Sequence, residues 1–460
     1  MAHEPAGAER PERQAGEEAK GSPRLARLAR LRRMLRAGAA APWMPLALLA
    51  VVSVLSLAAR AAWLSDPCAN PCRGPAAHSL IFDEVYYVNA ARRIVGIPVP
   101  DHEPYAGDPP GQDPNSEHPQ LAKLEIAGAI EVFGDGPFAW RIGSLLFGSL
   151  AILGMYALAR AAGTTRWCAL LAATLMASDN LLLVAGRIGT LDIYVVAFMI
   201  WAAALYLRGH PIVGGIVLGV GATAKLVAPY LLLVLLLLEL IRHRREALRA
   251  AASALAQFTV VATAVYLAVL AAFDRIAPPY DPQTGRTITG GPIAHTERIL
   301  SYAAGQTSPN GPKGIASYPW DWLVDLKPIN YLTVTVTSAS SRTYTVHFLG
   351  LISPPMLLFA IPALVLAALA AWRRFDIDVD AVAVAWFVGT WGPFAVFSLL
   401  LQRTSYLYYM VIVMPGIYLA LARAFTRPWM PRWALGGWLA LIAAAAVLTY
   451  PFLPLPVINL

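Results

Sequence analysis

Apolar runs of about twenty residues recur along this chain between short polar stretches, and that spacing predicts membrane-spanning helices. Spans are expected at about 43–63, 137–159, 167–185, 190–207, 211–224, 226–241, 251–273, 346–372, 379–400, 404–424 and 433–450. The expected fold class is therefore all-α, a polytopic integral membrane protein of about eleven transmembrane helices. The short pair across 211–241 also reads as one broken helix, which would change the count. Two long segments, 64–136 and 274–345, interrupt the pattern. Segments of that length are functional or disordered more often than simple connectors. Within them, 83–95 and 118–133 have the period of amphipathic helices, whereas 96–114 and 278–292 are dense in Pro and Gly and read as irregular. The chain thus divides into a polar, then Arg-rich tail, 1–42, and a single transmembrane domain, 43–460. Residues 1–22 read as disordered, Arg24–Arg36 fits a basic amphipathic helix on an anionic membrane surface, and no cleavable signal peptide is evident.

Composition agrees with the pattern. The chain is 57% hydrophobic and 14% charged, where a soluble domain is about 25% charged. The net charge of +8 is not a nucleic-acid signature, because the basic residues gather at span ends. Arginines at 24–36, 160, 166, 208, 242–249, 373–374 and 423–432 fall on one side, which puts the N-terminus in the cytoplasm and both long segments outside a cell membrane. No internal repeat or inverted symmetry is visible, which weighs against a transporter. Cys68 and Cys72, spaced Cys-Ala-Asn-Pro-Cys in the first outer segment, are either a disulfide in an oxidising compartment or two free thiols, and are too few to hold zinc unaided. Cys168 reads as an apolar filler of a span.

The candidate chemistry lies in the outer segments and at the outer span ends. Asp83-Glu84 sits in the run Ile81-Phe82-Asp83-Glu84-Val85-Tyr86-Tyr87. Loop acids are ordinarily solvated. Here aromatic neighbours favour a desolvated carboxylate of raised pKa, able to act as a general base, and a helix starting near Asp83 would put Tyr87 on its face. In Glu117-His118-Pro119-Gln120-Leu121-Ala122-Lys123, His118 and Lys123 either face the same cavity or mark a plain helix start. Arg141 follows Trp140 at an outer span end, and Arg187 and Asp192 stand five residues apart, able to pair only loosely. An ion buried in a bilayer costs about 2.5–3.5 kcal/mol on insertion scales, so such residues tend to face cavities and pair. Lys225 marks the tip between two short spans, Trp320 and Trp322 form an aromatic platform or an interfacial belt, and Arg403 precedes Tyr406, Tyr408 and Tyr409. An acidic base and several cations on one side suit an anionic lipid headgroup attacked by a hydroxyl.

These motifs resemble, in order from about residue 43 to 425, those of the protein O-mannosyltransferases, a branch of the GT-C glycosyltransferases. Ile81–Tyr87 is similar to the family's acidic pair, the segment from Glu117 through Trp140-Arg141 to its His-Pro-Pro-x-x-Lys and Trp-Arg stretch, and Asp179–Asp192 to its Asp…Ala-Arg-x-x-x-Leu-Asp run. Gly219–Lys225 and Pro319-Trp320-Asp321-Trp322 followed by Lys327-Pro328 resemble two further family motifs. Gln120 departs from the family's second proline and Lys327 from its common arginine. The resemblance implies a GT-C fold of bacterial type and an inverting transfer of a sugar, mannose by this likeness, from a polyprenyl-phosphate carrier to Ser/Thr hydroxyls of exported proteins. It implies Asp83 as base with Glu84 in support, Arg141, Lys225 and Arg403 on the donor phosphate, and Tyr87, His118, Lys123, Arg187, Asp192, Trp320 and Trp322 around the cavity. It requires no nucleotide and leaves a divalent metal open. Relatives of the same fold, such as the aminoarabinose transferases, leave a lipid or glycan acceptor as the alternative. A transporter is the remaining reading.

Overall fold

The computed structural model describes residues 41–69, 72–242, 248–337, 343–373 and 379–451. The basic tail with its Arg24–Arg36 segment, and Arg374, lie outside the described residues. Residues Leu48–Leu460 form one compact unit.

The chain is mostly helical. Its helices run α1 Met44–Ala61, α2 Glu84–Ile94, α3 Leu121–Phe133, α4 Pro137–Ala161, α5 Arg166–Ser178, α6 Asn180–Ala185, α7 Asp192–Leu207, α8 Pro211–Ala222, α9 Tyr230–Arg242, α10 Leu248–Ile276, α11 Gly291–Gly305, α12 Pro354–Arg373, α13 Val379–Leu401, α14 Met410–Phe425 and α15 Arg432–Leu448. A helix stands in each expected span. Six segments, α1, α4, residues 249–276 of α10, α12, α13 and 407–425, are long and apolar enough to cross a membrane by themselves. The others are shorter, so the expected eleven crossings are not all matched in length. The expected outer helices are present as α2 and α3.

Two antiparallel hairpins depart from the all-α expectation: β1 Tyr280–Asp281 with β2 Arg286–Thr287, and β3 Ile329–Thr337 with β4 Thr343–Gly350. The second also corrects the expected span 346–372. Its first residues belong to β4, and the helix begins only at Pro354.

The span expected over 167–185 is broken at Asp179, and side chains account for the break. Asp179 Oδ1 accepts the Ser353 amide (3.0 Å), Tyr418 donates to Oδ2, and Asn180 Oδ1 accepts the Leu351 amide (3.0 Å). Polar groups at the break therefore satisfy the otherwise bare backbone linking β4 to α12. The short helix α7 is mostly buried, whereas α8 buries one face and exposes Ile212, Val213 and Ile216 on the other. Gly215 and Gly219 let α8 touch α10: an added Cβ would stand 2.7 Å from Phe258 O and 2.6 Å from Ala262 O.

The two long segments meet at one end of the bundle. Asp113 donates its amide to Pro278 O (3.0 Å) and accepts that of Tyr280 (2.8 Å). The second segment is sewn to the turn before α14 by Thr404 N to Gln306 O (2.9 Å) and Ser317 N to Ser405 O (2.9 Å).

Candidate active site

The site is built around the turn that starts α2. Phe82 takes a left-handed backbone (φ 57°), and the chain then enters the helix at Asp83-Glu84. Glu84 is fully buried. Its Oε2 accepts the Ile81 amide (2.7 Å) and Arg141 Nη2 (2.8 Å), and its Oε1 accepts Arg141 Nε (2.8 Å) and the Gly189 amide (2.8 Å). Gly189 is required by closeness, since a Cβ there would lie 2.8 Å from Trp140 O. Four strong hydrogen bonds leave Glu84 no capacity for a reacting proton. It positions the turn that carries Asp83, the residue it was expected to support.

The same geometry corrects Arg141. Besides Glu84, its guanidinium donates to Leu64 O, to Asp66 O (3.2 Å) and to Ser79 O (3.4 Å), so no donor remains for a phosphate. Lys123 is corrected likewise. Fully buried, its ammonium pairs with Asp113 Oδ2 (2.6 Å) and donates to Asn115 O and His118 O (2.8 Å). Burial is the main cause of its lowered pKa, and Asp113 opposes it. Arg187 is buried too, tied to Ala62 O (2.9 Å), Trp63 O (3.2 Å) and the Tyr450 hydroxyl (3.2 Å), which makes it a brace between the first and last helices rather than a cavity wall. Trp322 has no exposed surface, donates to Ser317 Oγ (2.9 Å) and packs on Phe394 and Tyr409, so it is core rather than platform.

Asp83, Tyr87, His118, Asp192, Lys225 and Arg403 do come together, whereas Trp320 contacts none of them. Asp83 is half-buried, and Tyr87, one helical turn on, donates to its carboxyl. Burial pushes the Asp83 pKa up to about 7; Lys225 and the Tyr87 hydroxyl pull it down, and Asp192 pushes it further up. Lys225 sits in the turn between α8 and α9, its ammonium 2.7 and 2.9 Å from the two Asp192 carboxylate oxygens at the start of α7. It also lies 5.1 and 5.2 Å from the ring centres of Tyr408 and Tyr409. Asp192 thus pairs with Lys225 rather than loosely with Arg187. His118 stands between Tyr87 (6.0 Å) and Tyr302 of α11 (6.4 Å). Burial, then Lys225, Lys123 and Arg403, hold its ring well below the usual histidine pKa, hence neutral. Arg403 is half-buried, donates one nitrogen to Ala303 O, and forms no ion pair among the described residues. Trp320 is 39% exposed and stacks on Tyr318 (4.6 Å, 17° between planes).

Sequence reasoning missed Tyr302 and Tyr331. Tyr331 reaches the site from β3, edge-on to Phe82 at 4.7 Å, and feels the charges of Asp192 and Asp83. The Thr-Val alternation after Tyr331 was the available strand signal. Gln120, the departure from the family proline, spends its amide on Asp274 Oδ1 (3.0 Å) and Ala277 O (3.0 Å), bonds a proline could not donate. Lys327 donates to Ala316 O (2.8 Å). Cys68 and Cys72 form a disulfide, so these sulfurs offer no thiolate to a metal even though His78 adjoins them.

Residues 117–273 match the model of the dolichyl-phosphate-mannose-protein mannosyltransferase family. The polyprenol-phosphate-mannose–protein mannosyltransferase of Corynebacterium glutamicum is 36% identical over 135 residues, a match spanning 28% of this chain and only a quarter (25%) of that relative. The enzyme of the same name from Mycolicibacterium smegmatis is 23% identical over 407 residues, covering 74% of this chain and 75% of that protein. Among solved structures, the S. cerevisiae protein O-mannosyltransferase Pmt1-Pmt2 complex bound to its sugar donor superposes with a TM-score of 0.63 at 14% identity, covering 89% of this chain and 90% of that one. ArnT from Cupriavidus metallidurans bound to undecaprenyl phosphate gives 0.53 at 18% identity, covering 88% and 64%. These likenesses establish the GT-C fold.

Proposed function

We infer that this chain, which resembles the protein O-mannosyltransferases in sequence over 117–273 and shares their fold over most of its length, is an inverting glycosyltransferase. It moves mannose from a polyprenyl-phosphate carrier to Ser/Thr hydroxyls of exported proteins, at the outer face of the cell membrane. One observation carries the reading: a half-buried carboxyl with a pKa near 7 stands in the field of a buried lysine. A carboxyl near neutral pKa is well matched to take a proton from an acceptor hydroxyl at working pH.

Asp83 accepts the hydroxyl proton as the acceptor oxygen bonds to the anomeric carbon. The bond from that carbon to the phosphate oxygen breaks on the opposite face, and the anomeric configuration inverts. The departing lipid phosphate gains negative charge, which Arg403 and Lys225 stabilise. Arg403 has spent one nitrogen on Ala303 O, and Lys225 has bonded the two oxygens of Asp192, so each keeps donors for an oxyanion. Asp192 keeps Lys225 protonated, Tyr87 orients Asp83, and neutral His118 adds a polar group without adding charge. The test is to incubate purified protein with polyprenyl-phosphate-mannose and a Ser/Thr peptide. The expected result is a hexose mass shift on the peptide. No shift on peptide, with transfer to a lipid or glycan acceptor instead, would overturn the protein-acceptor assignment.

A further inference from the structure

Cys68 and Cys72 lie in a surface loop whose two ends grip Arg141. Leu64 O and Asp66 O at one end and Ser79 O at the other accept from its guanidinium, which in turn holds Glu84. Inside the loop, Ala69 N donates to Ala77 O (2.6 Å) and Ser79 N to Pro67 O (3.1 Å), which folds His78 back onto the cysteines. His78 Nδ1 lies 2.7 Å from Ser65 O, and a carbonyl only accepts, so Nδ1 carries the hydrogen. In the neutral ring the lone pair of Nε2 then faces both sulfurs, 3.8 Å from that of Cys68 and 4.0 Å from that of Cys72. The three atoms lie within 4.8 Å of one another.

Tetrahedral zinc, bonded at about 2.3 Å to sulfur and about 2.0–2.1 Å to nitrogen, sets a nitrogen about 3.6 Å from each sulfur. His78 Nε2 thus stands within about half an ångström of its place in such a site. Three residues between the cysteines is a spacing that zinc ligands use. A carbonyl on the far ring nitrogen is what orients a metal-binding imidazole. Besides His78, the one charged side chain from Cys68 to His78 is exposed Arg73, whose cation favours thiolates. Asn70 and Pro71 lie outside the described residues and carry no charge.

We propose that Cys68, Cys72 and His78 form a zinc site when the disulfide is reduced, with water as the fourth ligand. The reductant is a dithiol. One of its thiolates attacks the exposed Cys72 sulfur, the bond to Cys68 breaks, and Cys68 leaves as a thiolate. The second thiol then attacks the mixed disulfide, frees Cys72 as a thiolate and departs as a cyclic disulfide. The two protons of the dithiol pass to solvent as the thiolates take up the metal. Zinc then closes the loop as the disulfide did, and the carbonyls around Arg141 stay in place.

Cobalt(II) absorption of the full chain in nanodiscs tests this, after reduction with dithiothreitol and removal of the reagent without air. The reduced protein should show a thiolate-to-cobalt charge-transfer band that the oxidised protein lacks. One equivalent of zinc should remove the band, since zinc binds such sites more tightly, and should shield both thiols from a maleimide reagent. C72S, at an exposed sulfur, should abolish the band. H78A should weaken cobalt binding by about tenfold or more, at least the loss caused by removing an outer partner of a metal ligand. C168S, at the buried free thiol, should leave the band unchanged. No band in the reduced parent, unaltered affinity in H78A, or a band lost in C168S would overturn the proposal. No sugar transfer is measured, so the outcome is independent of the proposed reaction.

Discussion

Glu84 accepts four hydrogen bonds and exposes no surface, whereas Asp83, one residue earlier, keeps accessible surface and a pKa near 7. The same contrast runs through their cations. Arg141 is spent on Glu84 and three carbonyls, while the Arg403 guanidinium donates to Ala303 O and forms no ion pair among the described residues. A saturated cluster holds backbone in place, and an unsaturated one keeps capacity for a substrate. In the proposed reaction, two acids adjacent in sequence thus divide the work of rigidity and proton transfer.

The strongest way to break the contrast is D83N. Transfer should fall by about 10²–10⁴-fold, the loss typical of a general base, with donor binding nearly intact. Because burial raises the Asp83 pKa, the folded state holds its proton where the unfolded chain has lost it. This group therefore costs stability progressively as pH rises from about 4 to about 7. D83N should accordingly melt no lower than the parent at pH 8, and a lower melting temperature there would put Asp83 in the scaffold with Glu84.

E84Q should do the reverse. Breaking a buried ion pair from one side costs about 3–5 kcal/mol, so thermal unfolding should show a marked loss of stability. R141M should match it, and the double variant should lose less than the sum of the two. Additive losses would separate the pair.

The pH profile sharpens the same point at smaller scale. Transfer should climb about tenfold per pH unit below the Asp83 pKa near 7 and level off above it, because only the ionised carboxylate accepts a proton. A flat profile across pH 5.5–8 would remove Asp83 as base. Smallest is R403M. Losing one charged hydrogen bond of about 1.5–3 kcal/mol should weaken donor binding by tenfold or more, and leave the acceptor KM unchanged. Titrating the donor by intrinsic tryptophan fluorescence would measure it.

Much of this was legible beforehand. The apolar period located the helices, and the aromatic residues flanking Asp83 pointed to the desolvation that raises its pKa. Tyr87 was placed by helical spacing alone. What stayed hidden was which charges were already spent. Arg141 meets Glu84 across 57 residues and Lys225 meets Asp192 across 33, and no local pattern distinguishes a guanidinium facing carbonyls from one facing a ligand. Trp320 and Trp322, two residues apart, likewise read as one platform until the turn at Asp321–Val324 sent one inward. The strand β4 was absorbed into a span because its last residues are apolar and run on toward α12.

Arg187 gives the protein a relation to time. It joins Ala62 and Trp63, where the first helix ends, to Tyr450, beyond the last, and Tyr450 in turn donates to Ala59 O (2.6 Å), 391 residues earlier in the chain. Asn180 is likewise tied to Thr449 O. At about 5–20 residues per second of synthesis, a ribosome would deliver these partners about 20–80 s after Ala59. Until then the buried Arg187 lacks its last neighbour, and the brace beside the Glu84 cluster stays open. Closure of this brace thus waits for residues 449 and 450, and a chain cut short before α15 would leave the buried Arg187 without its Tyr450 partner.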